Sequence, residues 1–325
     1  MTNWNISPRS LVLAVMCTLL PAVAWTDTQL DPGLKVFQKS TGIAGNLNSI
    51  GSDTMNNLMT LWAEGFRQNH PSVRIQIEGK GSSTAPPALI EGTAQLAPMS
   101  RPMKSTEIDA FEKKFGYKPT EIKTSLDALA IYVHKDNPLK CVSLPEADAA
   151  FSSTRKGGFA TDITTWDQLG LANWKGKPIS LYGRNSASGT YGYFKDHVLM
   201  KGDFKSTVKE QPGSAAVVQG VTADPYGMGY SGIGYVTSGV KAVDLSKEKG
   251  GECVSADQAH VLDGSYPLSR FLYVYVNRKP GQPMDALTAE FLRFALSKDG
   301  QAVVLKDGYL PLPATVADKE LAKLK

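Results

Sequence analysis

Apolar positions in this chain follow two rhythms that take turns. Val73, Ile75 and Ile77 alternate with polar residues and predict a strand. Met55, Leu58, Met59, Trp62 and Phe66 return every three or four positions and predict the buried face of a helix. Residues 48–50 end a strand ahead of that helix, and the polar loop Gly51-Ser52-Asp53-Thr54 lies between them. The order recurs with the strand at 73–77, the loop Gly79-Lys80-Gly81-Ser82-Ser83-Thr84, and a helix whose first turn holds Pro86 and Pro87, where a missing N–H is tolerated. A third unit runs from 95–99 through Ser100-Arg101-Pro102-Met103 to a helix capped by Ser105 or Thr106 that buries Ile108, Phe111 and Phe115. A fourth runs from 179–182 through a loop from Gly183 to Thr190 into a helix over 191–200, with Phe194 and Val198 on one face. Repeated strand, loop and helix units predict a mostly parallel sheet whose C-terminal edges bring the loops together.

Two longer apolar runs, 126–134 and 270–276, predict strands that lead from one lobe to another. Between them lie 166–171, the fourth loop, a helix over 214–221, and the segment 225–236. After Val276 the chain returns with a helix on Met284, Leu287, Phe291 and Phe294, a packed stretch from Gly308 to Pro313, and a terminal helix over 316–324. A chain of 325 residues is long for one core and fits two lobes.

The first residues read differently. Residues 11–20 are an apolar run of signal-peptide length, preceded by Arg9 and followed by Ala22-Val23-Ala24, a small-x-small cleavage pattern before Trp25. The run is too short and wrongly flanked for a membrane span, and Cys17 inside it argues against a lipid anchor. Residues 1–24 are therefore expected to direct export, leaving a protein that is not membrane-inserted. Cys141 and Cys253 remain; in an oxidising compartment they pair or stay as two thiols, and spacing does not decide.

Apolar content of 42% with 20% charged residues is ordinary for a globular protein and excludes extended disorder. The net charge of +4 suits an anionic ligand, but the basic residues are scattered without interleaved aromatics, which argues against nucleic acid. All four loops carry Ser or Thr, and two carry Arg, namely Arg101 and Arg184. Hydroxyls and amides at a helix N-terminus, beside a planar guanidinium, suit an oxyanion. An ordinary capped turn with a surface arginine is the alternative.

Chemistry of other kinds finds little purchase. His70, His134, His197 and His260 are far apart, and no His-x-x-x-His, Cys-x-x-Cys or Gly-x-Ser-x-Gly is present, so neither a metal, a cofactor nor a catalytic triad is expected. Residues 227–232 match Gly-x-Gly-x-x-Gly, but they read as a turn, with no strand ahead of them and an apparent strand at 233–236 where the dinucleotide motif needs a helix.

Taken as a set, Arg184-x-x-x-Ser188-Gly189-Thr190, Gly51-Ser52-Asp53-Thr54, Gly81-Ser82-Ser83 and Gly232-Ile233-Gly234-Tyr235 closely resemble the periplasmic phosphate-binding proteins of ABC importers, from about Asn48 to Pro313. The resemblance implies an α/β type II periplasmic binding protein fold: two lobes with mixed sheets flanked by helices, joined by two crossover hinge strands. Lobe one would span 25–131 plus 272–325, and lobe two 132–271. It implies high-affinity phosphate binding in the cleft, delivery to a membrane-embedded ABC permease, and a periplasmic location, with secretion as an extension. By matching position Thr54 and Ser82 would donate from lobe one, and Arg184, Ser188, Gly189 and Thr190 from lobe two. Ser52, Asp53, Ser83 and Arg101 complete the candidate set as their loop neighbours. The family's loop aspartate, which accepts the phosphate proton, is matched here by Arg101, and a second aspartate that pairs with the cleft arginine is matched by Ser186. Asp53, the acidic residue among these loops, is expected to take one or both roles. The alternatives are a receptor for another tetrahedral oxyanion such as sulfate, a secreted phosphatase or esterase using Ser82 or Ser188, and a secreted surface protein that keeps the fold for assembly.

Overall fold

The computed structural model describes Met1 and residues 29–325; the expected export signal lies outside the described residues apart from Met1. The strands are β1 (Gly45–Gly51), β2 (Val73–Gly79), β3 (Ala97–Met99), β4 (Thr120–His134), β5 (Cys141–Ser143), β6 (Ser180–Arg184), β7 (Lys209–Gln211), β8 (Gly227–Gly232), β9 (Val240–Ala242), β10 (Asp244–Ser246) and β11 (Ser269–Val276). The helices are α1 (Asn56–Asn69), α2 (Ala85–Glu91), α3 (Ser105–Phe115), α4 (Leu144–Phe151), α5 (Gly189–His197), α6 (Ser214–Ala223), α7 (Gln258–Leu262), α8 (Ala286–Leu296), α9 (Lys298–Lys306) and α10 (Ala314–Ala322). Among the described residues no helix is long and apolar enough to cross a membrane.

One strand organises the whole. Residues 120–128 of β4 pair antiparallel with β11, and residues 129–133 of the same strand pair with β8. The sheet order β3-β11-β4-β8-β6-β7 therefore passes from one half of the molecule to the other through β4, and β11 begins at the junction, with Ser269 opposite Ala128. Burial along β4 explains its length: nearly every side chain from Ile122 to Val133 is covered, so backbone groups must pair on both edges. The parallel pair β1 and β2 joins the first half through a bridge from Ser49 to Leu96, just ahead of β3.

The expected units form, with boundaries set by capping, but the central sheet is mixed and not mostly parallel. Strand β4 runs antiparallel to β11, β8 and β9, and β11 to β3, because the two crossover strands run against each other and against their neighbours. Helix α5 begins at Gly189, two residues before its predicted start, because the Ser188 hydroxyl accepts the N–H groups of Thr190 (3.1 Å) and Tyr191 (3.3 Å). Helix α3 starts with Ser105 already inside its first turn, so neither Ser105 nor Thr106 caps it; the Glu107 carboxylate instead accepts the Lys104 N–H at 2.8 Å.

The reading of 225–236 is corrected. Gly227–Gly232 is no turn but a fully buried strand between β4 and β6, and Ile233–Tyr235 is a 3-10 turn, not a strand. Close approach explains the glycines. A Cβ on Gly229 would sit 2.9 Å from side-chain carbons of Val217 and Val221, and one on Gly232 would sit 2.9 Å from the Tyr309 hydroxyl. These residues let α6 and the Gly308–Leu312 stretch press against the sheet, which a local pattern of glycines cannot reveal.

Cys141 and Cys253 form a disulfide that ties β5 to the segment after β10, the two strands pairing in parallel. The bond closes a loop of 112 residues. Replacing both cysteines by serine is expected to lower stability by about 2–5 kcal/mol through the regained freedom of the unfolded chain. Urea unfolding of the double variant against the oxidised parent measures it.

Candidate functional site

Gly51, Gly79, Met99 and Arg184 end β1, β2, β3 and β6, and the loops that follow them meet at one place. The hydroxyls of Thr54 and Thr190 lie 2.8 Å apart, though one follows β1 and the other opens α5. Ser82 Oγ accepts the Ser100 N–H at 3.0 Å and lies 3.3 Å from the Ser100 hydroxyl. Ser83 donates its backbone N–H to the Ala187 carbonyl at 3.1 Å, which joins the loop after β2 to the loop after β6. Gly189 faces this cluster so closely that a Cβ there would come 2.2 Å from Ser82 Oγ and 2.6 Å from Ser100 Oγ. Only glycine admits that approach.

Two buried guanidinium groups flank the hydroxyls. Arg184, 1% exposed, donates through Nη1 to Ser214 Oγ (2.6 Å) and pairs through Nη2 with Asp53 Oδ1 (3.1 Å). Its Nε is buried and has no partner among the described residues. Burial pulls the Arg184 guanidinium below its ordinary value, and the Asp53 carboxylate opposes that shift. Asp53 Oδ1 also accepts the Ser214 N–H at 2.8 Å, so the start of α6 is held by the loop after β1. Both bonds fall on Oδ1; Oδ2 carries none among the described residues. The second guanidinium belongs to Arg270 on β11, which is paired with Asp127 on β4.

Tyrosines from neighbouring elements fix the loop after β1. Tyr235 donates its hydroxyl to the Asp53 carbonyl (3.0 Å), and Tyr309 donates to the Thr54 carbonyl (2.8 Å). Ser52 is 2% exposed, its N–H bonded to the Pro98 carbonyl and its hydroxyl without a partner among the described residues. Unpartnered buried donors beside a guanidinium are groups that an oxyanion would satisfy.

The chain matches the PBP superfamily domain over residues 38–299. It is 57% identical over 296 residues to the phosphate-binding protein PstS of Pseudomonas aeruginosa, covering 91% of this chain and 92% of that protein. The chain belongs to the PstS family. Among solved structures, a phosphate ABC transporter substrate-binding protein with bound phosphate from Clostridium perfringens is similar to it with a TM-score of 0.69 at 25% identity, covering 82% of this chain and 100% of that one. An ABC-type phosphate transport receptor from Vibrio cholerae has the same fold, with a TM-score of 0.63 at 22% identity, covering 82% and 100%.

Within this PstS-family chain the structure brings Asp53, Thr54, Ser82, Arg184, Gly189 and Thr190 together, with Ser52, Ser83 and Ser188 in the same loops. Arg101 is engaged elsewhere. Its fork closes on both oxygens of Glu107 at 2.8 and 2.7 Å and reaches Ser83 Oγ at 3.3 Å, so its charge is matched inside α3 and it braces two loops. Ser186, at the position of the family's pairing aspartate, is exposed, and Asp53 holds the arginine from the opposite side of the cleft. Sequence reading missed Ser100, Ser214, Asp127 and Arg270. For Asp127 a signal existed: it is the one acid in the apolar run 126–134, and burial there permits it only with a partner.

Asp307 lies behind the site, at the end of α9. It is buried, bonded to the Asn57 side-chain amide, with Oδ2 unpartnered among the described residues. Burial pushes its carboxyl up from 3.8 to about 6. The folded state therefore binds the proton more tightly than the unfolded one, and stability falls as pH rises from about 4 through about 6. The expected loss is about 1–3 kcal/mol. Asp307→Asn should recover that amount at pH 7.5 and little at pH 4, read by urea unfolding at both.

Proposed function

We propose that this protein binds inorganic phosphate in the cleft where the loops after β1, β2, β3 and β6 meet and delivers it to an ABC-type importer in the membrane. The observation that carries the reading is Arg184: a buried guanidinium with a free Nε, set beside the hydroxyls and amides at the start of α5. Family membership, and the phosphate named for the P. aeruginosa and C. perfringens relatives, support the same ligand. Thr54, Ser82 and Ser52 would donate from one side, and Arg184, Ser188, Gly189 and Thr190 from the other. Asp53 Oδ2 would accept the proton of the monohydrogen phosphate dianion. Arg101, bound to Glu107, acts in this reading as a brace and not as a ligand.

In this reading the lobes span 25–131 plus 272–325 and 132–271; the change of partner along β4 at Ala128 and Leu129, three residues before the first boundary, supports a division there. Bonds between the halves, such as Ser83 to Ala187 and Ser214 to Asp53, describe a closed cleft, and in this reading closure keeps most water from the ligand. Exclusion matters energetically. About five heavy atoms at a ceiling of about 1.5 kcal/mol each reach only the micromolar range, and charge-assisted bonds in a dry site add to that. Export to an oxidising compartment agrees with the Cys141–Cys253 disulfide and the N-terminal pattern.

A transport role without catalysis is the reading that the relatives' names support. Ser188 Oγ accepts two N–H groups as a helix cap and Ser82 Oγ accepts the Ser100 amide, and among the described residues neither hydroxyl bonds to a histidine that could take its proton. The test is calorimetric titration of ligand-stripped protein with phosphate, then with sulfate as competitor. Binding at micromolar concentration or tighter that sulfate does not displace supports the reading; heat from neither anion sinks it.

A further inference from the structure

Arg270 and Asp127 are direct register partners on the antiparallel strands β11 and β4, one rung from the point at which β4 leaves β11 for β8. Both side chains are buried, 2% and 0% exposed. Asp127 Oδ2 accepts Arg270 Nε (2.9 Å) and Nη2 (2.7 Å), and its Oδ1 accepts the N–H of Ile233 from the turn after β8 (3.0 Å). Arg270 Nη1 donates to the Ser100 carbonyl (2.9 Å), and Nη2 donates also to Thr190 Oγ1 (3.0 Å). The pair thus touches the hinge, the loop after β3, the start of α5 and the turn after β8 at once.

A buried ion pair gains little stability over apolar packing of the same volume, so its worth lies in what it orients. A guanidinium can donate and cannot accept. Because Arg270 donates to a lone pair of Thr190 Oγ1, the Thr190 proton points away from the guanidinium, at Thr54 Oγ1, 2.8 Å away, or at an anion beside the two hydroxyls. Either way the hydroxyls of the cleft are aligned to donate. Of the other four N–H groups of Arg270, two are directed at Asp127 and one at Ser100, so its contact with the hydroxyls of the cleft runs through Thr190.

Resting on the phosphate reading, we propose that Arg270, held by Asp127 at the hinge, is a positioning residue that aligns the Thr190 hydroxyl as a donor and ties the start of α5 to the strands about which the halves close. Lysine would keep the ion pair but lacks the planar fork that reaches Asp127, Ser100 and Thr190 together.

A double-mutant cycle tests this, with phosphate affinity measured calorimetrically for the full chain, Arg270→Lys, Thr190→Val and the double variant. Each single change is expected to weaken binding about tenfold or more, and the double variant should bind within about twofold of Thr190→Val alone, since the arginine then has no hydroxyl to align. Losses that multiply would overturn the inference and leave the phosphate reading standing, as would full affinity in Arg270→Lys. Asp127→Asn keeps one acceptor oxygen, enough for the Arg270 fork or for the Ile233 N–H but not for both, and supplies a second variant: a loss of several fold that vanishes in the Thr190→Val background supports the coupling, and a loss that persists there overturns it. If the parent protein binds no phosphate, the phosphate reading falls and this inference with it.

Discussion

Arg184→Met is expected to weaken phosphate binding by about 10²–10³-fold while leaving the unliganded protein folded. The size follows from removing a desolvated, hydrogen-bonded charge from a binding site, which costs about 2–5 kcal/mol. The loss of stability should be small, because burial already disfavours this guanidinium in the folded state and methionine fills similar volume without that penalty. Its partner Asp53 keeps a side chain 22% exposed, so water can solvate the carboxylate left behind. Calorimetry gives the affinity, and thermal melts give the rest: the parent should gain stability with added phosphate as mass action requires, and the variant should gain almost none at the same concentration. A variant that binds phosphate within about threefold of the parent would remove Arg184 from the site, since a real ligand contact of this type is worth far more.

Asp53→Asn is expected to change selectivity more than affinity. The asparagine oxygen can still accept the Ser214 amide, so the start of α6 stays in place, but the carboxylate that pairs with Arg184 is gone. A monohydrogen phosphate dianion carries one hydroxyl that must find an acceptor, whereas sulfate carries none and is repelled by a carboxylate. Sites built around such a hydroxyl discriminate by about 10⁴-fold or more. Neutralising Asp53 should therefore lower the preference for phosphate over sulfate by about 10²-fold or more, with sulfate becoming a measurable ligand. Competition calorimetry at pH 8, where the dianion dominates, reads it directly. Selectivity that survives in Asp53→Asn would show that the proton acceptor lies elsewhere, with Asp127 disfavoured because both of its oxygens already accept protein N–H groups.

The two variants probe one ion pair from its two ends, and its position gives it meaning. Asp53 follows β1 and Arg184 ends β6, so the pair spans the cleft. Ser214 to Asp53 and Ser83 to Ala187 span it too. Closing the cleft and completing the arginine's surroundings are in this arrangement one event, which ties ligand binding to the shape that a permease would meet.

Much of this was legible in the chain alone. Apolar spacing marked the strands and helices around Thr54, Ser82 and Thr190, and the hydroxyl-rich loops between them declared the anion chemistry, because both are local: a side-chain period and a helix N-terminus depend on residues within a few positions of each other. Tertiary structure alone decided which groups met across distance. It paired Arg270 with Asp127, 143 residues away, and turned Arg101 onto Glu107, and of the two roles expected for Asp53 it is the fold that supplied the pairing with Arg184. It also made a buried strand of Gly227–Gly232, whose glycines read locally as a turn and are needed for the close approach of α6 and Tyr309. The physical reason is the same in each case. A buried charge or a missing Cβ takes its value from the atoms packed against it, and those atoms are chosen by the fold and not by the neighbouring sequence.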